Sequence, residues 1–182
     1  LFVSTSGFGA YIIGDNDVLT TTIDYTPEVD EPFYDEVYED SKGRFWRSSL
    51  IANAVILKAD KGFAKFESTV AGPIAFIERG DEVFVIGIKG IMVFRNGQMQ
   101  DADIDTSVLK GKDVLFNTAT TDSEGNIYIG TRGNGLFRIP LGERRLERVS
   151  VNVLGVNLNT ATLTDIMFDQ KGDMWLGLER KG

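Results

Sequence analysis

The chain has 182 residues, 42% of them apolar and 25% charged, ordinary globular values that argue against disorder, and no apolar run approaches the roughly 18 residues that span a bilayer. A net charge of −8 argues against polyphosphate partners, since nucleic-acid binding rests on clustered Lys and Arg, so no nucleic acid is expected. With no cysteine and no histidine the chain lacks disulfides, thiolate metal sites, the commonest metal ligand and the commonest general base; neither a metal nor a cofactor is expected.

In chain order, residues 1 to 23 read as the return half of a hairpin, a turn at Asp15-Asn16-Asp17 and the β-branched run Val18 to Ile23. From Asp24 to Asp40 come eight acids with no Lys or Arg. The plain reading is an inter-blade loop and a solvated strand edge, with calcium or partner docking as the alternative; the spacing fails the 12-residue calcium loop. Residues 41 to 73 form the most irregular repeat. After Trp46 the expected Gly-Thr is replaced by Arg47-Ser48-Ser49, and the following turn by Ile51-Ala52-Asn53. Departures of this kind are where function can sit, so Arg47, Asn53 and Lys58 are candidate ligand contacts, with a drifted blade as the bland reading. Residues 74 to 113 read as a further meander around the hairpin turn Arg95-Asn96-Gly97.

The best-formed unit follows. Asp122-Ser123-Glu124-Gly125-Asn126-Ile127-Tyr128-Ile129-Gly130-Thr131-Arg132-Gly133-Asn134-Gly135-Leu136-Phe137-Arg138-Ile139 opens on an Asp-to-Gly turn, alternates, turns again at a glycine pair and returns. Asp169 to Gly177 overlays its first half without a gap, as does Asp40 to Trp46, while Leu1 to Ile13 matches its second half and Val83 to Phe94 is a weaker copy. The repeat aromatics are therefore Phe2, Trp46, Phe84, Tyr128 and Trp175, at intervals of 44, 38, 44 and 47 residues. That period is the roughly 40 to 50 residues of a four-stranded propeller blade.

No segment carries an apolar stripe at helical spacing, so the expected fold is all-β. It is a β-propeller fragment of about four blades of four-stranded antiparallel sheet. Approximate repeats are 1–33, 34–73, 74–113, 114–160 and an incomplete 161–182 within one partial propeller, 1–182. Leu1 falls inside one repeat and Gly182 inside another, which suits an arc of a larger, seven-bladed ring. Each aromatic is expected between neighbouring sheets, so that Tyr128→Ala or Trp175→Ala costs about 3 to 5 kcal/mol.

Asp40, Asp122 and Asp169 each stand three residues before a glycine at a bend, where an Asp side chain bonds the turn backbone. That reading outranks a carboxylate pair for glycoside hydrolysis. Gly87, Gly130 and Gly177 mark close backbone approach toward the axis. Arg132 and Asn134, at the tip of the best hairpin, suit sugar hydroxyls or a carboxylate, against a solvated turn as the plain reading. Without His or Cys no triad or thiol nucleophile is available.

The patterns Asp-x-x-Gly-Asn-Ile-Tyr-Ile-Gly-Thr-x-Gly-x-Gly-Leu-Phe-Arg at Asp122 to Arg138 and Asp-x-x-Gly-Asp-Met-Trp-Leu-Gly at Asp169 to Gly177 resemble the two-component regulator propeller repeat. The resemblance implies the periplasmic sensor portion of a hybrid two-component system of the Bacteroides type. The intact protein would hold two large propellers, an immunoglobulin-like domain, a membrane helix, and kinase and response-regulator parts in the cytoplasm. It also implies a monosaccharide or oligosaccharide partner, control of polysaccharide-use genes, and a periplasmic location as part of an inner-membrane protein. Neighbouring blades are further partners, a homodimer is open, and this stretch itself is expected not to be an enzyme. The alternatives are a propeller-fold polysaccharide lyase or glycosidase, and a protein-docking propeller.

Overall fold

The structure, a computed structural model, describes residues 2–5, 9–13, 19–23, 36–49, 54–59, 62–150, 152–153 and 156–179. The turn at 15–17, the acidic stretch from 24 to 35 and Ile51-Ala52-Asn53 lie outside the described residues, as do the side chains of Phe2 and Lys58.

Strands β1 (Phe2–Thr5), β2 (Gly9–Ile13) and β3 (Leu19–Ile23) form one antiparallel sheet in chain order. The next runs β4 (Glu36–Glu39), β5 (Phe45–Ser49), β6 (Ala54–Ala59) and β7 (Gly62–Glu67). A third has β8 (Pro73–Arg79), β9 (Glu82–Gly87), β10 (Gly90–Arg95) and β11 (Gln98–Asp101). A fourth has β12 (Phe116–Thr121), β13 (Ile127–Thr131), β14 (Leu136–Ile139) and β15 (Glu147–Arg148). A short hairpin of β16 (Asn152–Val153) and β17 (Val156–Asn157) leads to the pair β18 (Leu163–Phe168) and β19 (Met174–Leu178). Helical structure among the described residues is confined to 3-10 turns at Ser107–Leu109 and Leu158–Thr160. The first strands β4, β8, β12 and β18 lie side by side, so the sheets fan outward from their first strands. The expected all-β propeller arc is what the chain builds.

Alternation explains the stacking. In β9, Val83 and Val85 enter the layer shared with the β4–β7 sheet, and Phe84 and Ile86 the layer shared with the β12–β15 sheet, all at 0% exposure. A strand covered on both faces must be apolar on both, as these sequences are. The repeat aromatics Trp46, Phe84 and Tyr128 each face the sheet that follows. Trp46 packs on Phe76 and Phe94, Phe84 joins Ile127 and Phe137, and Tyr128 meets Phe168 with ring centroids 5.0 Å apart.

Trp175 breaks the expectation of burial. It occupies the same place in β19 but is 59% exposed, because among the described residues no sheet follows β18 and β19 to cover that face. Tyr128→Ala is expected to cost about 3 kcal/mol, whereas Trp175→Ala costs no more than about 1 kcal/mol, since only a packed ring leaves a cavity. Urea unfolding of the two variants side by side checks the contrast.

The aspartate turns are alike in detail. Asp40 Oδ1 accepts from the backbone N–H of Lys42 and Arg44, both at 3.0 Å, and Oδ2 accepts from Trp46 Nε1 at 2.8 Å. Asp169 Oδ1 accepts from Lys171 and Asp173, and Oδ2 from Trp175 Nε1 at 3.2 Å. Asp122 Oδ1 accepts from Glu124 and Asn126, and Oδ2 from Asn126 Nδ2. The turn role read from the sequence holds, with one addition: at Asp40 and Asp169 the carboxylate also holds the polar edge of a tryptophan six residues on. Where the aromatic is Phe84, with no polar edge, the matching position is Glu78, which reaches back to the previous sheet and accepts from Ser41 N at 2.8 Å and Ser41 Oγ at 2.6 Å.

Candidate functional site

At one end of the fan lie the hairpins between second and third strands and the connections from each sheet to the next. Backbone hydrogen bonds lace them together. Ile88 N donates to Ala71 O at 2.8 Å, Phe116 N to Ile88 O at 2.9 Å, Arg132 N to Leu115 O at 2.9 Å, and Gly135 N to Ala161 O at 3.1 Å. Glycines permit this closeness. A Cβ on Gly130 would stand 2.8 Å from Leu163 Cβ, and one on Gly135, at φ +79°, only 2.2 Å from Leu158 O.

The first strands β8, β12 and β18 are bulged at this same end. Their pairing slips between Pro73 and Ala75, between Phe116 and Thr118, and between Leu163 and Asp165. A bulge leaves one residue outside the ladder and re-aims its side chain. In β12 that residue is Asn117. Its Nδ2 donates across to Leu163 O of the next sheet at 2.8 Å, and its Oδ1 accepts from Arg132 Nε at 2.8 Å.

The segment 114–117 thus has two sides. Val114 and Phe116 help wall a cleft of about 250 Å³, together with Ile91, Ile104 and Leu109, and with Lys89, Asp101 and Thr106 as its polar members. Leu115 and Asn117, the alternate residues, hold the backbone and the Nε of Arg132. Beside the cleft Lys89 pairs with Asp113 at 3.5 Å, both exposed. The Asp105 carboxyl, in the connection over the cleft, is held below its ordinary value by hydrogen bonds from Ser107.

The hairpin carrying Arg132 is fixed from within. The buried Thr131 hydroxyl donates to Gly135 O at 2.7 Å and accepts from Asn134 N at 3.2 Å, and Arg148 holds Asn134 O at 2.8 Å. Asn134 gives its own Nδ2 to Arg132 O at 3.3 Å. Arg132 is exposed and Asn134 half-buried, so these two expected residues stand together on the hairpin.

Arg47 does not join them. Arg47 lies in β5, opposite Val37 and Ile56, and is fully buried, which removes it from any open surface. Asn53 is outside the described residues, and Lys58 lies on β6 with its side chain undescribed. The sequence reading missed Asn117 and the cleft-lining connection 102–115. The available signal was the order Val114-Leu115-Phe116-Asn117-Thr118, in which successive apolar residues interrupt the alternation as a bulge does. Among the described residues no group of three or more Asp or Glu is placed to hold a metal ion.

No protein-family model matches the chain, and no curated protein matches it. Solved structures do. The chain is similar to the extracellular domain of the hybrid two-component system BT3049 from B. thetaiotaomicron, at 21% identity and TM-score 0.68, over 96% of this chain and 24% of that one. It is similar to PorZ, a surface component of the type-IX secretion system of Porphyromonas gingivalis, at 15% identity and TM-score 0.70, over 98% and 29%. It is also similar to virginiamycin B lyase from Staphylococcus aureus, at 14% identity and TM-score 0.68, over 94% and 56%. The chain spans about a quarter of the first two and about half of the lyase. A sensor domain, a secretion component and a lyase share this architecture, so the likeness fixes the fold, an arc of β-propeller, and leaves the activity to the residues of the site.

Proposed function

We propose that this chain is part of the extracytoplasmic ligand-sensing propeller of a hybrid two-component sensor. It responds to a carbohydrate breakdown product and controls genes for polysaccharide use, from a periplasmic position within an inner-membrane protein. The observation that carries the reading is the two-sided segment 114–117, with a cleft of mixed polar and apolar lining on one side and a guanidinium positioned by an amide on the other. Such a surface recognises a ligand through ring faces and polar groups together. The repeat's likeness to a two-component propeller and the similarity to the BT3049 extracellular domain agree with it. Among the described residues no helix is long and apolar enough to cross a membrane.

Sensing demands that the ligand bind one conformational state better than another. The inter-sheet backbone bonds at this end are suited to that, because a ligand seated on Arg132 and Asn117 touches the join between the β12–β15 sheet and β18. The lyase reading is supported by one similar structure. Against it stands a chain with no histidine or cysteine, in which Asp105, near the rim, accepts from Ser107 N and Asp113 pairs with Lys89. Calorimetry of the whole ectodomain with a panel of oligosaccharides tests the choice: saturable binding with the saccharide recovered intact is expected, and release of a cleaved product ends the sensor reading.

A further inference from the structure

Arg132 stands apart among the described arginines that reach the surface. Arg44 pairs with Asp40, Arg95 and Arg144 with Glu82, Arg138 with Glu147, and Arg145 with Glu143 and Glu147. Arg79 and Arg148 give their terminal nitrogens to backbone carbonyls. Arg132 gives only Nε, to the Oδ1 of Asn117, and meets no carboxylate among the described residues. In a chain of net charge −8 an exposed guanidinium left without an acid is unusual.

Its surroundings sharpen the point. The connection to the next sheet, residues 149–162, contains no charged residue. It packs against the Arg132 hairpin, since Gly135 touches Leu158 O and bonds Ala161 O. Among the exposed side chains there are Asn157, Asn159, Thr160 and, at the bulge of β18, Thr164; the exposed Asp165 beside it accepts from Ile166 N. Arg132 is thus a positive charge without a carboxylate partner beside amides and hydroxyls. Asn117 is itself clamped to Leu163 O, so the guanidinium is held by Nε, and its two terminal nitrogens form a fork with no partner among the described residues.

We infer that this rim binds an acidic saccharide, with the terminal nitrogens of Arg132 gripping a carboxylate or sulfate oxyanion end-on and Asn117 acting as the positioning residue. A fork of two parallel N–H donors matches two oxygens of one oxyanion, and among the described residues no carboxylate pairs with it. Neighbouring amides and hydroxyls take the sugar hydroxyls. The inference rests on the ligand-sensing reading and adds the charge of the ligand to it.

The test uses the whole ectodomain, with Arg132 Nε–H followed by NMR during titration with D-galacturonate, D-glucuronate, glucose 6-sulfate and glucose. A saturable shift with an acidic sugar and none with glucose is expected; the uronate and sulfate arms tell which oxyanion is taken. Arg132→Gln should weaken acidic-sugar binding about tenfold or more, and Arg132→Lys, which keeps the charge without the fork, should not restore it. Asn117→Ala should move the free-state Nε–H resonance and weaken acidic-sugar binding, while the thermal midpoints of Arg132→Gln and Arg132→Lys stay near wild type. No shift with any acidic sugar, equal binding of glucose, or full rescue by lysine overturns the inference. Neutral oligosaccharides that bind independently of Arg132 would sink it while sparing the sensor, and a cleaved product would sink the sensor while sparing the oxyanion site.

Discussion

Replacing Trp46 by alanine is expected to destabilise the protein by about 4 to 5 kcal/mol, the top of the range for a fully buried aromatic. Trp46 is 0% exposed. Its ring meets Phe94 edge-on at 4.9 Å and Phe76 at 6.1 Å, and the Arg44 guanidinium lies 5.4 Å from its centre. These contacts join two sheets, so the cavity left by alanine is walled by β-strands that cannot collapse into it. The indole also satisfies Asp40, and alanine leaves that carboxylate short of a donor. Trp46→Phe separates the two contributions: it keeps most of the ring contact and loses the Nε1 bond, for an expected cost of about 1 to 2 kcal/mol. Urea unfolding read by far-UV circular dichroism measures both; a loss below about 1 kcal/mol for alanine would contradict the wedge between sheets.

The aromatic period was readable because stacking imposes it. A strand covered on both faces needs a large side chain toward one neighbour and branched aliphatics toward the other, as Phe84 stands between Val83 and Val85. What periodicity does not carry is whether a neighbour is there: Trp175 obeys the pattern and is exposed. Arg47 shows a second limit. Its polarity marks a departure from the repeat, but register decides which way a side chain faces, and in β5 the register turns it into the stack. Asn117 shows a third, since a one-residue slip in a first strand alters no composition and no period. Yet it is the bulge that brings Asn117 to Arg132, one of the two residues the sequence placed in the site that stand at the rim. Glu78 was hidden for a related reason: its partner Ser41 lies on the previous sheet, beyond the reach of local pattern.

Acid should unfold this protein through its turns, and Asp40 should contribute most. Burial alone would raise the Asp40 carboxyl, but hydrogen bonds from Trp46 and Arg44 outweigh it and hold it below its ordinary value. Asp122 is likewise held down, chiefly by Asn126, against a desolvation that works the other way, and Asp169 by Trp175. A carboxyl depressed in the fold binds fewer protons there than in the unfolded chain. Its stabilisation is therefore complete above the unfolded value of about 3.9 and drains away as pH falls through that value toward the folded one. The Asp40 side chain is 0% exposed and answers two backbone N–H groups, Arg44 Nε at 2.6 Å and Trp46 Nε1. Removing it in Asp40→Ala orphans all four donors, for an expected cost of about 3 kcal/mol at pH 7. Asp40→Asn retains an acceptor for the turn but not the charge, so it should fall between wild type and alanine at pH 7 and lose less stability than wild type between about pH 5 and 2. The decisive measurement is unfolding free energy against pH for the three proteins. Curves that converge in acid place the stabilisation in the ionised turn, whereas curves that stay parallel down to pH 2 would mean that Asp40 acts by shape and that its charge contributes nothing.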